Sequence, residues 1–328
     1  MTIPGFVDLQ VNGYKGVDFS SPNLTEEDFT FACRALLDNG TAALLPTIIT
    51  SPLEVFERNL RLMSQAVKCN GLEDRLLGFH VEGPFLSAAE GARGAHNADW
   101  IRRPNIDLLD QMQNWSGGTI KLITVAADVE GAAELCRHAT ENLGITVSLG
   151  HHLATAEDLE KMSQAGARAL THLGNGVPKQ LHRHHNPIWA GLANDRLTAM
   201  IITDGHHLPD TIIKTVIRAK GIANTIVVSD ASPIAGMPPG TYNTLGNDVV
   251  LDSSGRLYNP ETGYLVGSSS SILECMNYLL SLDMLSLEEI FKLGFHNPLQ
   301  LIGVDPSSLK GNFIFYHETE HKFICTSK

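Results

Sequence analysis

Short apolar, β-branched runs alternate with amphipathic stretches along most of the chain. Eight of these runs read as strands: Phe6–Val11, Thr41–Leu45, Leu76–Val81, Ile120–Val125, Ile145–Leu149, Ala167–Thr171, Thr198–Thr203 and Thr225–Ser229. Helical periodicity lies between them, for example over Glu26–Asp38, Pro52–Val67, Gly131–Asn142, Ala156–Ala165 and Pro209–Ala219. Thr25-x-x-Asp28 and Thr155-x-x-Asp158 have the spacing of capping boxes at two helix starts. Strands apolar on both faces and separated by helices belong to a parallel sheet covered by helices. Eight of them predict an α/β fold, a closed (β/α)8 TIM-type barrel. An open doubly wound sheet is the competitor, but no G-x-G-x-x-G follows the first strand.

The alternation stops after the eighth strand. Residues 240–266 carry turn signals around short strand-like pieces and predict a β-hairpin excursion. Helical patterns return at Ser269–Leu282 and Leu287–Phe295, the second opened by Ser286-x-x-Glu289, and a short segment follows at Asn297–Ile302. Two brief strand-like runs fill Asn312–Cys325. The predicted organisation is a barrel over residues 1–304 and a short β-like tail over residues 305–328.

Composition narrows the partners. The 328 residues are 43% hydrophobic, as in a globular protein, and the net charge of −12 argues against nucleic acid or an anionic membrane surface as partner. The five cysteines, Cys33, Cys69, Cys136, Cys275 and Cys325, are odd in number and contain no C-x-x-C, which predicts reduced thiols in a cytoplasmic protein. No apolar run reaches membrane-spanning length, and MTIPGFVDLQ lacks the basic and apolar regions of a signal peptide.

Chemistry in such a barrel sits where strands end and loops begin. The ends read Gln10 and Asn12, Pro46-Thr47, Glu82, Ala126-Ala127, His151, His172, Asp204 followed by His207, and Asp230. Carboxylate and neutral imidazole are the usual oxygen and nitrogen ligands of Zn²⁺, and a catalytic site uses three plus an open position. Glu82, His151 and His172 are therefore candidate ligands of one divalent metal, which acidifies water and polarises a carbonyl. Asp230 is the candidate proton acceptor, and hydrolysis of an amide or ester the candidate reaction. Singly, a strand-end histidine is more often a hydrogen-bonded loop residue than a ligand, and Glu82 alone could cap its loop; the joint pattern outweighs this. His80 shares the face of Glu82 and is read as a packed core histidine rather than a support or substrate contact. His152 points to the opposite face from His151.

The ordered series PGFVDLQVNG, GFHVEGPFLS, GAH, SLGHH, THLGN, TDGHHLP, VSDASP, LVGSSSS and NPLQLIGV resembles the N-acetylglucosamine-6-phosphate deacetylases of the amidohydrolase superfamily over nearly the whole chain. The resemblance implies one metal held by Glu82, His151 and His172, usually Zn²⁺ with Fe²⁺, Mn²⁺ or Co²⁺ as alternatives, and Asp230 as catalytic acid and base. It implies sugar contacts from His96 and His207, and the phosphate end of the substrate near Asn175 and Gly176. Related enzymes are homodimers with active sites near the interface. Where many amidohydrolases place His-x-His, this chain has Gln10-Val11-Asn12; amides are poor ligands beside imidazole, so a single tightly held metal is expected.

Three departures from the family pattern stand out. The chain enters directly at the first barrel strand, so the family's small β-sandwich is expected to be absent or reduced, with Asn312–Cys325 its remnant or an addition to the barrel. Thr171-His172-Leu173-Gly174-Asn175-Gly176-Val177 lacks the family's aromatic and Met. His185 stands where a phosphate-binding Arg is expected, with Arg183 two residues earlier; His is a weaker, only partly charged substitute. Lys179, Arg183, His184 and His185 are then a candidate basic pocket, or else a solvated loop. The implied reaction is deacetylation of N-acetylglucosamine 6-phosphate. The alternatives are another N-acyl substrate, such as an unphosphorylated or epimeric amino sugar or an N-acyl amino acid, and a non-catalytic sugar-binding barrel.

Overall fold

The computed structural model describes residues 2–309 and 313–325. Eight parallel strands form one sheet in chain order: β1 (Phe6–Val11), β2 (Thr41–Ile49), β3 (Phe79–Glu82), β4 (Ile120–Val125), β5 (Thr146–Leu149), β6 (Ala169–Leu170), β7 (Thr198–Ile202) and β8 (Thr225–Val228). The connections carry helices, among them α1 (Glu26–Asp38), α2 (Leu53–Cys69), α3 (Ile106–Trp115), α4 (Ala132–Glu141), α5 (Ala156–Gln164), α6 (Pro187–Ala193) and α7 (Asp210–Lys220). The apolar stripe of α1, Phe29, Ala32, Cys33, Leu36 and Leu37, is buried at helical spacing against the sheet. Thr155 and Asp158 form the predicted capping box, as do Ser286 and Glu289; at α1, Thr25 caps the Asp28 N–H.

Closure between β8 and β1 is made by few main-chain contacts. Val11 bridges Ala231, and the Asn12 N–H donates to the Ala231 carbonyl at 2.8 Å. The Asp8 carboxylate adds to these: it accepts from the Ser229 N–H at 3.1 Å and the Ser229 hydroxyl at 2.5 Å. A side chain thus substitutes for ladder bonds where β1 is irregular, its register shifting between Asp8 and Val11. Two cores result. The larger joins strands to helices; the smaller includes Leu9, Leu45, Leu122, Met200, Ile202 and Val228, with Phe295 and Leu299 beneath.

Several elements differ from the sequence expectation. β3 starts at Phe79 because Gly78 has φ 133°, and Glu82 is its last residue rather than one step beyond. β2 runs four residues further, through Pro46 to Ile49. The excursion is a three-stranded meander, Gly240–Thr244, Asn247–Leu251 and Leu257–Tyr258, rather than a hairpin. The loop LHRHHNPIWAGL contains α6, capped by Asn186 with Pro187 at its first turn. The helix predicted over Leu287–Phe295 changes pitch after Phe291, and Lys292–His296 is a wider turn. Gly294 lies there with space for no side chain: a Cβ would come within 2.7 Å of Phe6 and Met276.

Thr2–Pro4 forms a strand that the apolar pattern does not reveal. It pairs with Phe313–His317, which pairs in turn with Lys322–Cys325. Phe323 packs edge-on against Phe6 at 5.1 Å, joining this small sheet to the barrel. Of the predicted tail, residues 310–312 and 326–328 lie outside the described residues.

Candidate active site

Glu82 projects from the end of β3 into a ring of nitrogen atoms. Its Oε1 lies 3.2 Å from His151 Nε2 and 3.0 Å from His172 Nε2, and the two imidazole nitrogens are 3.0 Å apart. His96 Nε2 approaches His151 Nε2 at 3.3 Å and Glu82 Oε2 at 3.9 Å. All four side chains are buried. His151 follows β5, His172 follows β6, and Asp230 follows β8, and each has a left-handed backbone, with φ of 53°, 31° and 50°. Such conformations cost a non-glycine residue about 1–3 kcal/mol and concentrate at functional sites.

This arrangement can be tested against a cation. His151 Nδ1 donates to the Ala92 carbonyl at 2.9 Å, so in the neutral ring Nε2 is the bare nitrogen, and it faces the Glu82 carboxylate. Lone pairs aimed at one another across about 3 Å repel unless protons or a cation lie between them. The donor set, one carboxylate with imidazole Nε2 atoms, suits Zn²⁺ or a similar divalent ion. The residues present therefore fit a metal. Burial opposes ionisation of Glu82, but with no cation between them the protonated rings of His151 and His172, through hydrogen bonds and charge, hold its carboxyl well below the usual range. Burial, with His151 next in effect, pushes His96 down to about 3, so its ring is neutral.

Gln10 and Asn12 stand beside this cluster as donors. Gln10 Nε2 donates to Glu82 Oε1 at 3.0 Å, and Asn12 Nδ2 donates to Asp230 Oδ1 at 2.8 Å. Burial and the charge of Glu82 raise the Asp230 carboxyl, against His172, His207 and the Asn12 hydrogen bond. A carboxyl balanced in this way can both take and return a proton.

His207 Nδ1 donates to Asp204 Oδ2 at 2.7 Å. Asn175 is half-buried and turns back on the His172 carbonyl, while Gly176 lies against both site histidines. Both residues line a small cavity together with His151, Pro187 and Ile188. Arg183 and His185 are exposed on the loop before α6; the Arg183 carbonyl accepts from Trp189 Nε1, and the His185 N–H donates to His182 Nδ1. Among the described residues no hydrogen bond links the Arg183 or His185 side chain to Glu82, His96, His151 or His172. Lys179 turns to the loop after the meander, donating to the Thr262 carbonyl and lying over the Tyr264 ring at 4.3 Å.

His80 is a satisfied interior histidine: Nδ1 meets the Leu9 carbonyl at 3.1 Å and Nε2 the Thr124 hydroxyl at 2.8 Å. His152 accepts from the Ala154 N–H and stays outside the cluster. The proximity of His96 to Glu82 and His151, the donor roles of Gln10 and Asn12, and the Ala92 carbonyl behind His151 had no signal in the sequence pattern. The loop carrying Ala92 and His96 is aperiodic.

Comparison with known proteins identifies the family. A family model described as the amidohydrolase family matches residues 1–308. The chain is 34% identical to the N-acetylglucosamine-6-phosphate deacetylase of Bos taurus, over 92% of this chain and 74% of that protein. It is 29% identical to the N-acetylgalactosamine-6-phosphate deacetylase of Escherichia coli O157:H7, over 92% of this chain and 78% of that protein. Among solved structures, the N-acetylglucosamine-6-phosphate deacetylase of Pasteurella multocida superposes with a TM-score of 0.85 at 28% identity, covering 98% of this chain and 83% of that one. Among the described residues no helix is long and apolar enough to cross a membrane.

Proposed function

The chain belongs to the amidohydrolase family and, within it, to the N-acetylglucosamine-6-phosphate deacetylases, and from that premise we propose that it hydrolyses N-acetylglucosamine 6-phosphate to glucosamine 6-phosphate and acetate. The observation that carries this reading is the convergence of Glu82, His151 and His172 beside a buried Asp230. Those three residues would hold one divalent cation, Zn²⁺ by preference, with His96 flanking it. When bound, that cation acidifies water and polarises the acetyl carbonyl.

The chain's own residues then move the proton. Asn12 holds Asp230 through Oδ1, and Oδ2 takes the proton from water. The water oxygen adds to the acetyl carbon. Asp230 returns the proton to the sugar nitrogen as the C–N bond breaks, leaving acetate and a free amine. His96 and His207 contact the sugar and its acetyl oxygen. The phosphate end lies towards Asn175 and Gly176, with Arg183 and His185 from the loop before α6. The protein acts as a homodimer in the cytoplasm, where its five free thiols stay reduced.

Acetate release by zinc-loaded protein tests the reading. N-acetylglucosamine 6-phosphate is expected to be strongly preferred over N-acetylglucosamine, and Asp230→Asn to keep its metal while losing roughly 10³-fold or more in turnover. Normal turnover by that variant would sink the assignment of Asp230. The similarity to an N-acetylgalactosamine-6-phosphate deacetylase supports a second reading, in which the epimeric sugar phosphate is the substrate. Faster acetate release from the galacto sugar would select it.

A further inference from the structure

Asp204 follows β7 and has the contacts of a fixed anion rather than of a loop residue. Oδ1 accepts from the N–H groups of His206 and His207, both at 2.9 Å. Oδ2 accepts from His207 Nδ1 at 2.7 Å and from the Ser268 hydroxyl at 2.8 Å. Its side chain is 2% exposed. Burial opposes its ionisation, but His207 and these hydrogen bonds outweigh burial and hold the carboxyl far below the ordinary range. The residue before it, Thr203, is tied by its hydroxyl to the Cys275 carbonyl at 2.7 Å. The residue after it, Gly205, has φ 79°, and a Cβ there would strike the Tyr278 ring at 2.5 Å.

Ser268 carries this anchor across to the catalytic turn. Its N–H donates to the Asp230 carbonyl at 2.9 Å, and its own carbonyl accepts from the Ser232 N–H at 2.8 Å. Its hydroxyl, besides donating to Asp204, accepts from the Ser270 N–H at 3.1 Å. One buried serine therefore fixes both the backbone that aims Asp230 and the carboxylate that holds His207.

Resting on the deacetylase reading, we propose that Asp204 is a positioning residue: it holds His207 in the Nδ1-protonated form, so that Nε2 is the atom offered to substrate, and Ser268 keeps that ring in register with Asp230. An imidazole has two nitrogens, and engaging one with a carboxylate decides what the other can do. Free to rotate or to change tautomer, His207 would present a given atom to the sugar only part of the time. A purely structural role, in which Asp204 merely caps the turn of His206 and His207, predicts losses independent of the His207 ring.

Two measurements separate these roles. In ¹⁵N-imidazole spectra of zinc-loaded, substrate-free protein, the His207 ring, assigned by its disappearance in His207→Gln, should show a protonated Nδ1 that changes in Asp204→Asn. In acetate-release kinetics, Asp204→Asn should lower kcat/KM by roughly 50-fold in the wild-type background and by less than about 3-fold in His207→Gln, because the two residues act as a unit. Ser268→Ala leaves the carboxylate in place and should show the same non-additivity with a smaller loss, which covers failure of Asp204→Asn to fold. An unprotonated or unaltered Nδ1, or losses that simply add, would overturn the proposal. The ring spectrum needs no turnover, so it decides the positioning role even if the wild-type protein releases no acetate from these sugars.

Discussion

Replacing Asp8 by Asn should make the protein more stable at alkaline pH. Asp8 is 1% exposed at the seam between β1 and β8. Burial raises its carboxyl from 3.8 to about 7, against hydrogen bonds from Ser229 and Gln10 that pull it down and with a smaller upward push from the charge of Asp230. The unfolded chain releases this proton near the ordinary carboxylate value and the folded chain near neutrality. Between those two points the unfolded state binds fewer protons, so stability falls as pH rises and levels off above pH 7. Roughly three pH units at about 1.4 kcal/mol each cost the folded state about 4 kcal/mol, of which roughly 2.5 kcal/mol develops between pH 5 and pH 8. Asn mimics the protonated acid: Oδ1 accepts the Ser229 and Gln10 N–H groups, and Nδ2 donates to the Ser229 hydroxyl, which can pass its own proton towards the Gln10 carbonyl. Urea titrations of metal-free wild type and Asp8→Asn at the two pH values read the difference directly, because every other titrating group is common to both. The variant should gain on wild type by about 2.5 kcal/mol from pH 5 to pH 8. A difference that does not change with pH would refute the argument and mean that the seam carboxylate is ionised at no net cost.

The other predictions concern the metal cluster and the small sheet. Gly176→Ala places a Cβ 2.9 Å from His151 Nδ1 and 3.2 Å from His172 Cε1, at a φ of 62°; it should weaken metal binding by roughly 10- to 100-fold in competition with a chelator, as disturbance of ligand orientation does. One equivalent of Zn²⁺ per chain should restore activity to chelated protein, because Gln10 and Asn12 already spend their amides on Glu82 and Asp230; metal at 100 times its Kd should raise stability by about 2.7 kcal/mol. Phe323→Ala removes the ring that packs on Phe6 and should cost about 3–5 kcal/mol in denaturant titrations; a loss below 1 kcal/mol would show that the terminal sheet adds little to the barrel.

Periodicity and residue type at the strand ends carried most of the fold and the centre of the site. The eight apolar runs are local signals, since a parallel strand buried on both faces has to be apolar wherever it lies in the chain. Glu82, His151, His172 and Asp230 were legible for the same reason: each stands where such a run stops, and the barrel places all such ends on one face. The roles of Arg183 and His185 were not legible, because both belong to an exposed loop whose chemistry depends on what it faces.

The sequence by itself thus determined the barrel, the residues that converge, and the hydrolytic chemistry they suit. Tertiary structure alone decided how those residues are held. The hydrogen bonds of Asn12 to Asp230 and of Asp8 to Ser229 join positions 218 and 221 residues apart. No window of sequence contains both partners, and each bond exists only once the first and last barrel strands meet. The left-handed turns at His151, His172 and Asp230, the Ala92 carbonyl behind His151, and the serine that joins Asp204 to the Asp230 turn have the same origin. A side chain's type is local, whereas its tautomer, its orientation and the work its carboxylate can do depend on the atoms that closure brings to it.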